Sequence, residues 1–397
     1  MSNWWRVRLG RRPWWMNVLM IICAYAAFVH VPSDFFCTPV ARDAEVWFGV
    51  TLRGWAAKLT EPLHWLIYLC GAYGFWRMRP WMWPWASLYT WQVAFAVFIW
   101  ELHAGHWLRA IIGGAVTAAF GGALWRAQAA FDERGVPLRD RYGEWALITG
   151  ASGGIGAAFA RALAREHMSC VLTARREDRL RTLAAELERD YAVSTRVVAV
   201  DLAAPGGAEE LARAVEDLEI SVLVNNAGFG YAGRFERQDA ERLQTMLQLN
   251  CVAPVLLTKR LLPGMRARGR GAVIITGSAA GAQPVPLNCV YAATKAFDRF
   301  LGEGLWAELH GTGVDVLVLE PGPTLTEFQA VSGELAHAGE QPDHVVRVAL
   351  DALGEQPSVI AGWYNWLRAN ATRLAPRSLV ALAAGKVMGQ WIPPEMR

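Results

Sequence analysis

"EWALITGASGGIGAAFARALAREHMSCVLTA", residues 144–174, changes its hydrophobic period twice. "EWALITG" is a short apolar run of strand length ending in glycine, "ASGGIGAAFARALARE" opens on glycines and continues as an alanine-rich helix, and "MSCVLTA" is apolar and strand-like again. A strand, a glycine turn, a helix and a strand form the unit of a parallel sheet, because parallel neighbours need a long crossover and a helix usually supplies it. The pattern recurs with "TRVVAVDL", "ISVLVNNAG", "GAVIITGS" and "VDVLVLEPG" as further strands. Strands alternating with helices predict an α/β fold, a doubly wound parallel sheet covered on both faces.

The first turn, "TGASGGIG", spaces Gly150, Gly154 and Gly156 as G-x-x-x-G-x-G, with Ser152 and Ile155 between them. Glycines there permit a tight turn and let backbone N–H groups approach a pyrophosphate at the positive end of the next helix. This predicts a Rossmann-like dinucleotide site. The end of the second strand discriminates between cofactors, since an acid there binds the ribose hydroxyls of NAD and an arginine accommodates the additional phosphate of NADP. "TARRED" places Ala174 where the acid would stand, followed by Arg175 and Arg176. The expectation is NADP(H) ahead of NAD(H), with Arg175 as the phosphate partner. The alternative is that both arginines merely begin a solvated helix.

"NCVYAATKAF", residues 288–297, sets Tyr291 and Lys295 one helical turn apart, on one face. A free phenol titrates near 10, so proton exchange near neutral pH requires a fall worth about 4 kcal/mol. A cation about 4 Å away at an effective dielectric of about 20 supplies on the order of 4 kcal/mol. Lys295 is therefore expected to lower the Tyr291 pKa. A tyrosine and a lysine at this spacing also occur as surface decoration, so the reading depends on the motifs around them.

Those motifs occur in order: "TGASGGIG", Asp201-Leu202, "NNAG" at 225–228, Asn250, Ser278, the Tyr291/Lys295 pair and "PGPTLTEF" from Pro321. The region from Glu144 to Phe328 resembles the short-chain dehydrogenase/reductase family. The resemblance implies Tyr291 as general acid in carbonyl reduction or base in alcohol oxidation. Ser278 would hydrogen-bond the substrate oxygen, where negative charge develops. It implies Lys295 as the residue that tunes Tyr291 and binds the nicotinamide ribose, and Asn250 as holder of a proton-relay water. Cofactor contacts would come from Gly150, Ser152, Gly154, Ile155, Gly156, Arg175, Asp201, Leu202, Asn225, Ala227, Gly228, Tyr291, Lys295, Pro321, Gly322 and Thr326. A homodimer or homotetramer is also implied. Substrate walls are expected from "FGYAGRF", "AAGAQPVPLN" and the segment after Thr326, with Phe229, Tyr231, Val285 and Leu287 forming an apolar pocket.

The chain of 397 residues has a net charge of +3, too small to argue for nucleic acid. Its six cysteines are scattered without disulfide or zinc spacing, and no metal site is expected beyond the weak hint of Glu101, His103 and His106. Most of the tryptophans precede Phe131, among them Trp4-Trp5, Trp14-Trp15, Trp81, Trp83 and Trp85. Tryptophan favours the membrane interface. The apolar runs Trp14–His30, Leu63–Met78, Trp81–Trp100 and Trp107–Trp125 predict three or four spans, the second being short and followed by Pro80; buried core helices are the alternative.

Arg6, Arg8, Arg11 and Arg12, then Arg77 and Arg79, then Arg126, Arg134, Arg139 and Arg141 fall on one side of such a bundle. By the positive-inside rule that side, and the catalytic domain with it, is cytoplasmic. Arg42, Arg53 and Lys58 would lie outside with Asp43, Glu45 and Glu61. "EVWFGVTLRGWAAKL" reads as an interfacial amphipathic helix. The expected organisation is a helical membrane domain over 1–130, a linker over 131–143, the catalytic domain over 144–357 and a basic amphipathic segment over 358–397. That last segment could lie on a bilayer, pack across a dimer or cover the substrate. The whole reads as a membrane-anchored oxidoreductase for a lipophilic ketone or alcohol, long-chain acyl, sterol-like or isoprenoid. The alternative is a membrane sensor or scaffold that binds NADP(H) without turnover.

Overall fold

The computed structural model describes residues 14–42, 44–47, 50–77, 82–127 and 137–397. Trp4, Trp5, Arg6, Arg8, Arg11, Arg12, Asp43, Arg79, Pro80, Trp81, Arg134 and residues 131–136 of the expected linker lie outside the described residues. The chain divides into two compact units, Met1–Gly135 and Val136–Arg397.

In the second unit, seven strands form one parallel sheet. They are β1 (Trp145–Thr149), β2 (Ser169–Ala174), β3 (Thr195–Ala199), β4 (Ile220–Asn225), β5 (Gly271–Thr276), β6 (Val314–Glu320) and β7 (Ser358–Ile360). Their order is β3-β2-β1-β4-β5-β6-β7, so the winding reverses between β1 and β4, where a crevice opens beyond the carboxyl ends. β1, β4 and β5 are buried along almost their whole length, as strands covered on both faces must be.

The covering helices are α1 (Gly154–Arg165), α2 (Glu177–Tyr191), α3 (Gly207–Ala214), α4 (Ala240–Leu247), α5 (Ala253–Arg268), α6 (Cys289–Leu309), α7 (Pro342–Ala352), α8 (Trp363–Ala371) and α9 (Arg377–Trp391). Phe159, Leu163, Leu180, Leu187 and Val345 fill the core on one face of the sheet. Leu211, Leu257, Met265 and Leu309 fill the other. β7 uses the first three residues of the expected C-terminal segment, which thus begins inside the sheet.

The linker reading also changes at its end. Leu138–Tyr142 is a short helix, Tyr142 is buried, and its hydroxyl donates to Asp315 Oδ2 at 2.7 Å. Arg141 donates to the same oxygen at 2.9 Å, and its guanidinium lies over the Tyr142 ring. The charged composition of 131–143 hid this, because one aromatic among arginines gives no periodic signal.

Within the first unit, Trp14–Cys37 is one helical stretch with a π-helical segment at Ala26–His30; Glu61–Arg77, Met82–His103 and Trp107–Arg126 are further helices. Among the described residues, Trp14–Cys37 and Trp107–Arg126 are long and apolar enough to cross a membrane by length and composition. Only 17% of each apolar window is buried, unlike a soluble core helix.

The expected interfacial helix is instead an antiparallel hairpin, Ala44–Trp47 with Val50–Arg53, followed by a single helical turn at Trp55–Lys58. β-Branched Val46, Val50 and Thr51 favour extended backbone, and Gly54 at φ +62° ends it. Lys58, expected at the border of that interfacial helix, is buried and donates to Thr38 O at 3.0 Å and Glu61 Oε1 at 3.2 Å.

Tyr142→Phe is expected to destabilise the catalytic unit by about 1.5–3 kcal/mol, the value of a hydrogen bond to a charged group. Denaturation followed by circular dichroism checks it, and no measurable change would return 138–142 to the status of a linker.

Candidate active site

The carboxyl ends of the strands open into one cavity of about 880 Å³. At one end Gly150, Ser152, Gly154 and Ile155 line it where α1 begins, so the positive end of that helix faces the space. Gly154 has φ +55°, and a methyl group there would stand 3.0 Å from Thr326 Cγ2, so bare backbone forms the wall. Gly156 does not line the cavity; a side chain on it would collide with the Gly150 carbonyl oxygen, so it acts by letting the turn close.

Ala174 at the end of β2 and Arg175 and Arg176 after it are on the same wall. Arg176 donates to Ser152 Oγ at 3.0 Å and Glu327 Oε2 at 2.7 Å, and Arg179 to Glu327 Oε1 at 2.6 Å. Arg175 makes no ion pair among the described residues. Asp201 and Leu202 follow β3, with Asp201 Oδ1 accepting from Ala203 N at 3.0 Å to hold its turn. This is a cradle for an extended anionic ligand: bare backbone at a helix N-terminus beside an unengaged guanidinium.

After β4, Thr149 Oγ1 accepts from Asn226 N at 2.8 Å and Ala227 N at 2.9 Å, which fastens the following loop to β1. Ala227 and Gly228 line the cavity, as does Asn226. Asn225, expected among the cofactor contacts, does not. Its amide donates to Thr258 on α5 at 3.0 Å, because the last strand residue still alternates toward the helix layer.

Asn250 is also off the cavity wall. It lies in a π-helical turn, Gln248–Val252, between α4 and α5, and its amide pairs both ways with the Phe229 backbone, at 3.1 and 3.0 Å, and donates to Thr294 Oγ1 at 3.1 Å. The bulge turns an otherwise regular helix so that Asn250 backs the loop at Gly228.

Ser278, Tyr291 and Lys295 all face the cavity, together with Pro321, Gly322 and Thr326. α6 carries Tyr291 and Lys295 on one face, with Lys295 Nζ 5.8 Å from the phenol ring centre. Lys295 donates to Thr276 O at 2.8 Å, tying α6 to the end of β5, and pairs with Asp298 Oδ2 at 3.0 Å. Both partners of that pair are buried, and burial holds the Asp298 carboxyl above its usual range although Lys295 pulls it down.

Here the sequence expectation for Tyr291 is corrected. Burial pushes its pKa up, and this exceeds the lowering by Lys295 and by the Ser278 hydrogen bond. The charges of Glu334 and Asp298 add to the rise, so desolvation and two nearby carboxylates together outweigh the single lysine. Burial depresses Lys295 most strongly of any single cause, but Asp298, Tyr291 and Cys251 together raise it by more, so it stays charged. Asp298 was not singled out from sequence; the only signal was an acid three residues after Lys295, which reads as a surface ion pair.

The far end of the cavity is lined by Val285, Phe328, Val331, Val387 and Met388. Phe229 and Val285 line the cavity as expected, whereas Tyr231 packs under Arg242 with 4.3 Å from guanidinium to ring centre, and Leu287 belongs to a cluster with Ala232 and Met388. α8 and α9 contribute Asn365, Arg368, Ala384 and Trp391 to the wall, so the tail covers the site.

Residues 144–335 match the family described as short chain dehydrogenase. A 7beta-hydroxysteroid dehydrogenase of Collinsella aerofaciens is 36% identical over 235 residues, 57% of this chain and 89% of that protein. A very-long-chain 3-oxoacyl-CoA reductase of Anas platyrhynchos is 33% identical over 233 residues, 56% of this chain and 74% of that protein. Among solved structures, a short-chain dehydrogenase from Sphingobium yanoikuyae in complex with NADPH aligns with a TM-score of 0.54 at 33% identity, covering 60% of this chain and 95% of that one. The chain therefore belongs to the short-chain dehydrogenase family, and it is an oxidoreductase acting on CH–OH and C=O groups.

Asp298→Asn removes the anion that offsets Lys295 and that itself opposes a phenolate. The Tyr291 pKa should fall, moving the ascending limb of alcohol oxidation against pH toward acid. A pH–rate profile checks this; a limb that stays in place or moves alkaline contradicts it.

Proposed function

We propose that this chain is a membrane-anchored, NADP(H)-dependent oxidoreductase that interconverts a carbonyl and an alcohol on a lipophilic substrate. One arrangement carries the reading: Ser278, Tyr291 and Lys295 share a cavity with the glycine turn and Arg175. The bare turn, the helix N-terminus and the unengaged guanidinium suit a phosphorylated dinucleotide, and a relative of known structure is described in complex with NADPH. When bound, NADPH supplies the hydride that reduces the carbonyl carbon.

The chain's own residues would handle the oxygen. Ser278 Oγ donates a hydrogen bond to it, stabilising charge as it develops. Tyr291 transfers its phenolic proton to that oxygen, completing the alcohol. Burial suits this direction, since a phenol with a raised pKa remains protonated. Lys295 stabilises the resulting phenolate, and Asn250 positions the loop at Gly228 and the water that returns a proton. Arg175 contacts the cofactor's additional phosphate, with Asp201, Leu202, Ala227, Gly228, Pro321, Gly322 and Thr326 along the remainder of its site.

The lipophilic assignment rests on the apolar far wall of the cavity and on the outer surface of α8 and α9. Trp363 and Leu374 are 78% and 91% exposed, and Trp366, Leu379 and Leu382 also face outward. Arg368, Arg373, Arg377 and Lys386 stand among them, and no acid occurs from 356 to 394. Such a surface suits an anionic bilayer. Residues 1–130 would form the multi-pass anchor, with its arginine groups and the catalytic unit on the cytoplasmic side and residues from 131 as the connection.

The purified full-length protein, in lipid nanodiscs, is titrated with NADPH and NADH as wild type and Arg175→Ala, then given a long-chain or ring-fused ketone and a small water-soluble one. NADPH preference should fall about 10-fold or more on substitution, the loss of a charge-assisted hydrogen bond. The lipid-dissolved ketone should show the higher kcat/KM. Equal binding of both cofactors would overturn the role of Arg175, and a wide preference for the soluble ketone would overturn the lipophilic assignment.

A further inference from the structure

The apolar end of the cavity has one polar corner, near enough to Tyr291 for the Glu334 charge to help keep the phenol protonated, whose hydrogen-bonding capacity the proposed reduction does not use. Asn288, Glu334 and His337 all line the cavity. Asn288 is the N-cap of α6 and is only 4% exposed; its Nδ2 donates to Glu334 Oε1 at 3.2 Å. Glu334 Oε2 lies 3.3 Å from His337 Nε2, with both side chains largely buried. The His337 ring stacks on Trp391 of α9 at 4.2 Å, and Gln329 holds the His337 backbone from both sides, accepting from its N–H at 3.2 Å and donating to its carbonyl at 3.1 Å.

The corner has one unmet requirement. A carboxylate accepts only, so the amide of Asn288 must turn its nitrogen to Glu334, which leaves Oδ1 as an acceptor. That buried oxygen has no hydrogen-bond partner. A buried acceptor without a donor is costly, and native structures rarely leave one unexplained.

Resting on the reading above, we infer that Asn288 and Glu334 form a subsite for a neutral hydrogen-bond donor, a second hydroxyl carried by the substrate away from its reacting carbonyl. The occupant must be a donor, because Asn288 Oδ1 and the Glu334 carboxylate both accept. It must not be anionic, because an anionic group there would meet the Glu334 charge with little water to screen it, and in this apolar wall a neutral hydroxyl costs less to desolvate than an ammonium. The substrate is then a lipophilic hydroxyketone or diol, and a free carboxylate at the same position is rejected. His337 and Asn288 are positioning residues that fix the carboxylate.

Two matched ketones test the subsite, one apolar and one with a single added hydroxyl remote from the carbonyl, with a third that carries a carboxylate in place of that hydroxyl. They are assayed with the full-length protein as wild type, Asn288→Ala and Glu334→Gln. NADPH affinity in each variant reports that α6 and the cofactor end remain folded.

Wild type should favour the hydroxyketone over the apolar ketone by about 10-fold in kcat/KM, carried by KM, and Asn288→Ala should bring that ratio near 1. Glu334→Gln should raise relative turnover of the carboxylated ketone about 10-fold. Identical ratios in wild type and variants would overturn the subsite, with a water satisfying Asn288, and leave the proposed reduction standing. Reduction of none of the three by a protein that binds NADPH would overturn the reduction itself and the subsite with it.

Discussion

Lys295 brings a full positive charge into a nearly dry site, and much of the catalytic geometry follows from satisfying that charge. Its ammonium is held by the Thr276 carbonyl and by Asp298, so one side chain joins the end of β5 to the first half of α6. That junction sets where Tyr291 stands relative to Ser278, which is the next residue but one after Thr276. A buried ammonium without such partners would lose its proton or pull the site open. With them, the pair is locally neutral, and the surrounding apolar wall governs Tyr291 more strongly than the lysine does.

The same economy explains the rest of the cavity. At the cofactor end the turn presents backbone to the cavity, because Gly154 leaves no room for a side chain there and Gly156 lets the turn close behind it. At the substrate end the wall is apolar, closed by helices that follow β7. Those helices have two different faces: one contributes Met388 and Trp391 to the site, and the other presents tryptophan, leucine and arginine outward. A cover of this kind allows the proposed lipophilic substrate to pass from an apolar exterior into an apolar cavity with little exposure to water. The Asn288–Glu334–His337 corner is the exception within that wall, and its unpartnered oxygen gives the exception a reason.

What could be read in advance depended on the range of the signal. The sheet was legible because strand and helix periods alternate locally, and the Tyr291/Lys295 face because i and i+4 share it. Asp298 was not, since an acid near a lysine looks the same whether buried or solvated. Asn225 turns to Thr258 and away from the cavity because the face of a strand-end residue depends on where pairing stops. Glu334 and His337 lie in a segment without period, placed by contacts to α9 far along the chain. The tail's charge and apolarity were visible, but which face lines the cavity is a tertiary fact. The phenol's pKa was misjudged because desolvation cannot be read from spacing. In the first unit the described tryptophan-rich runs are helices, while the short stretch with Val46, Val50 and Thr51 is a hairpin where the spacing of Trp47, Trp55 and Leu59 beside Arg53 and Lys58 suggests a helix.

The central claim is that Tyr291 performs proton transfer in a protein that turns over, as opposed to one that only binds its cofactor. The direct measurement is Tyr291→Phe in the full-length protein, with NADPH affinity and ketone reduction determined on the same preparation. The account predicts unchanged NADPH binding with a loss in kcat on the order of 100-fold or more, the contribution of a positioned general acid. Reduction at nearly the wild-type rate by the phenylalanine variant would contradict it.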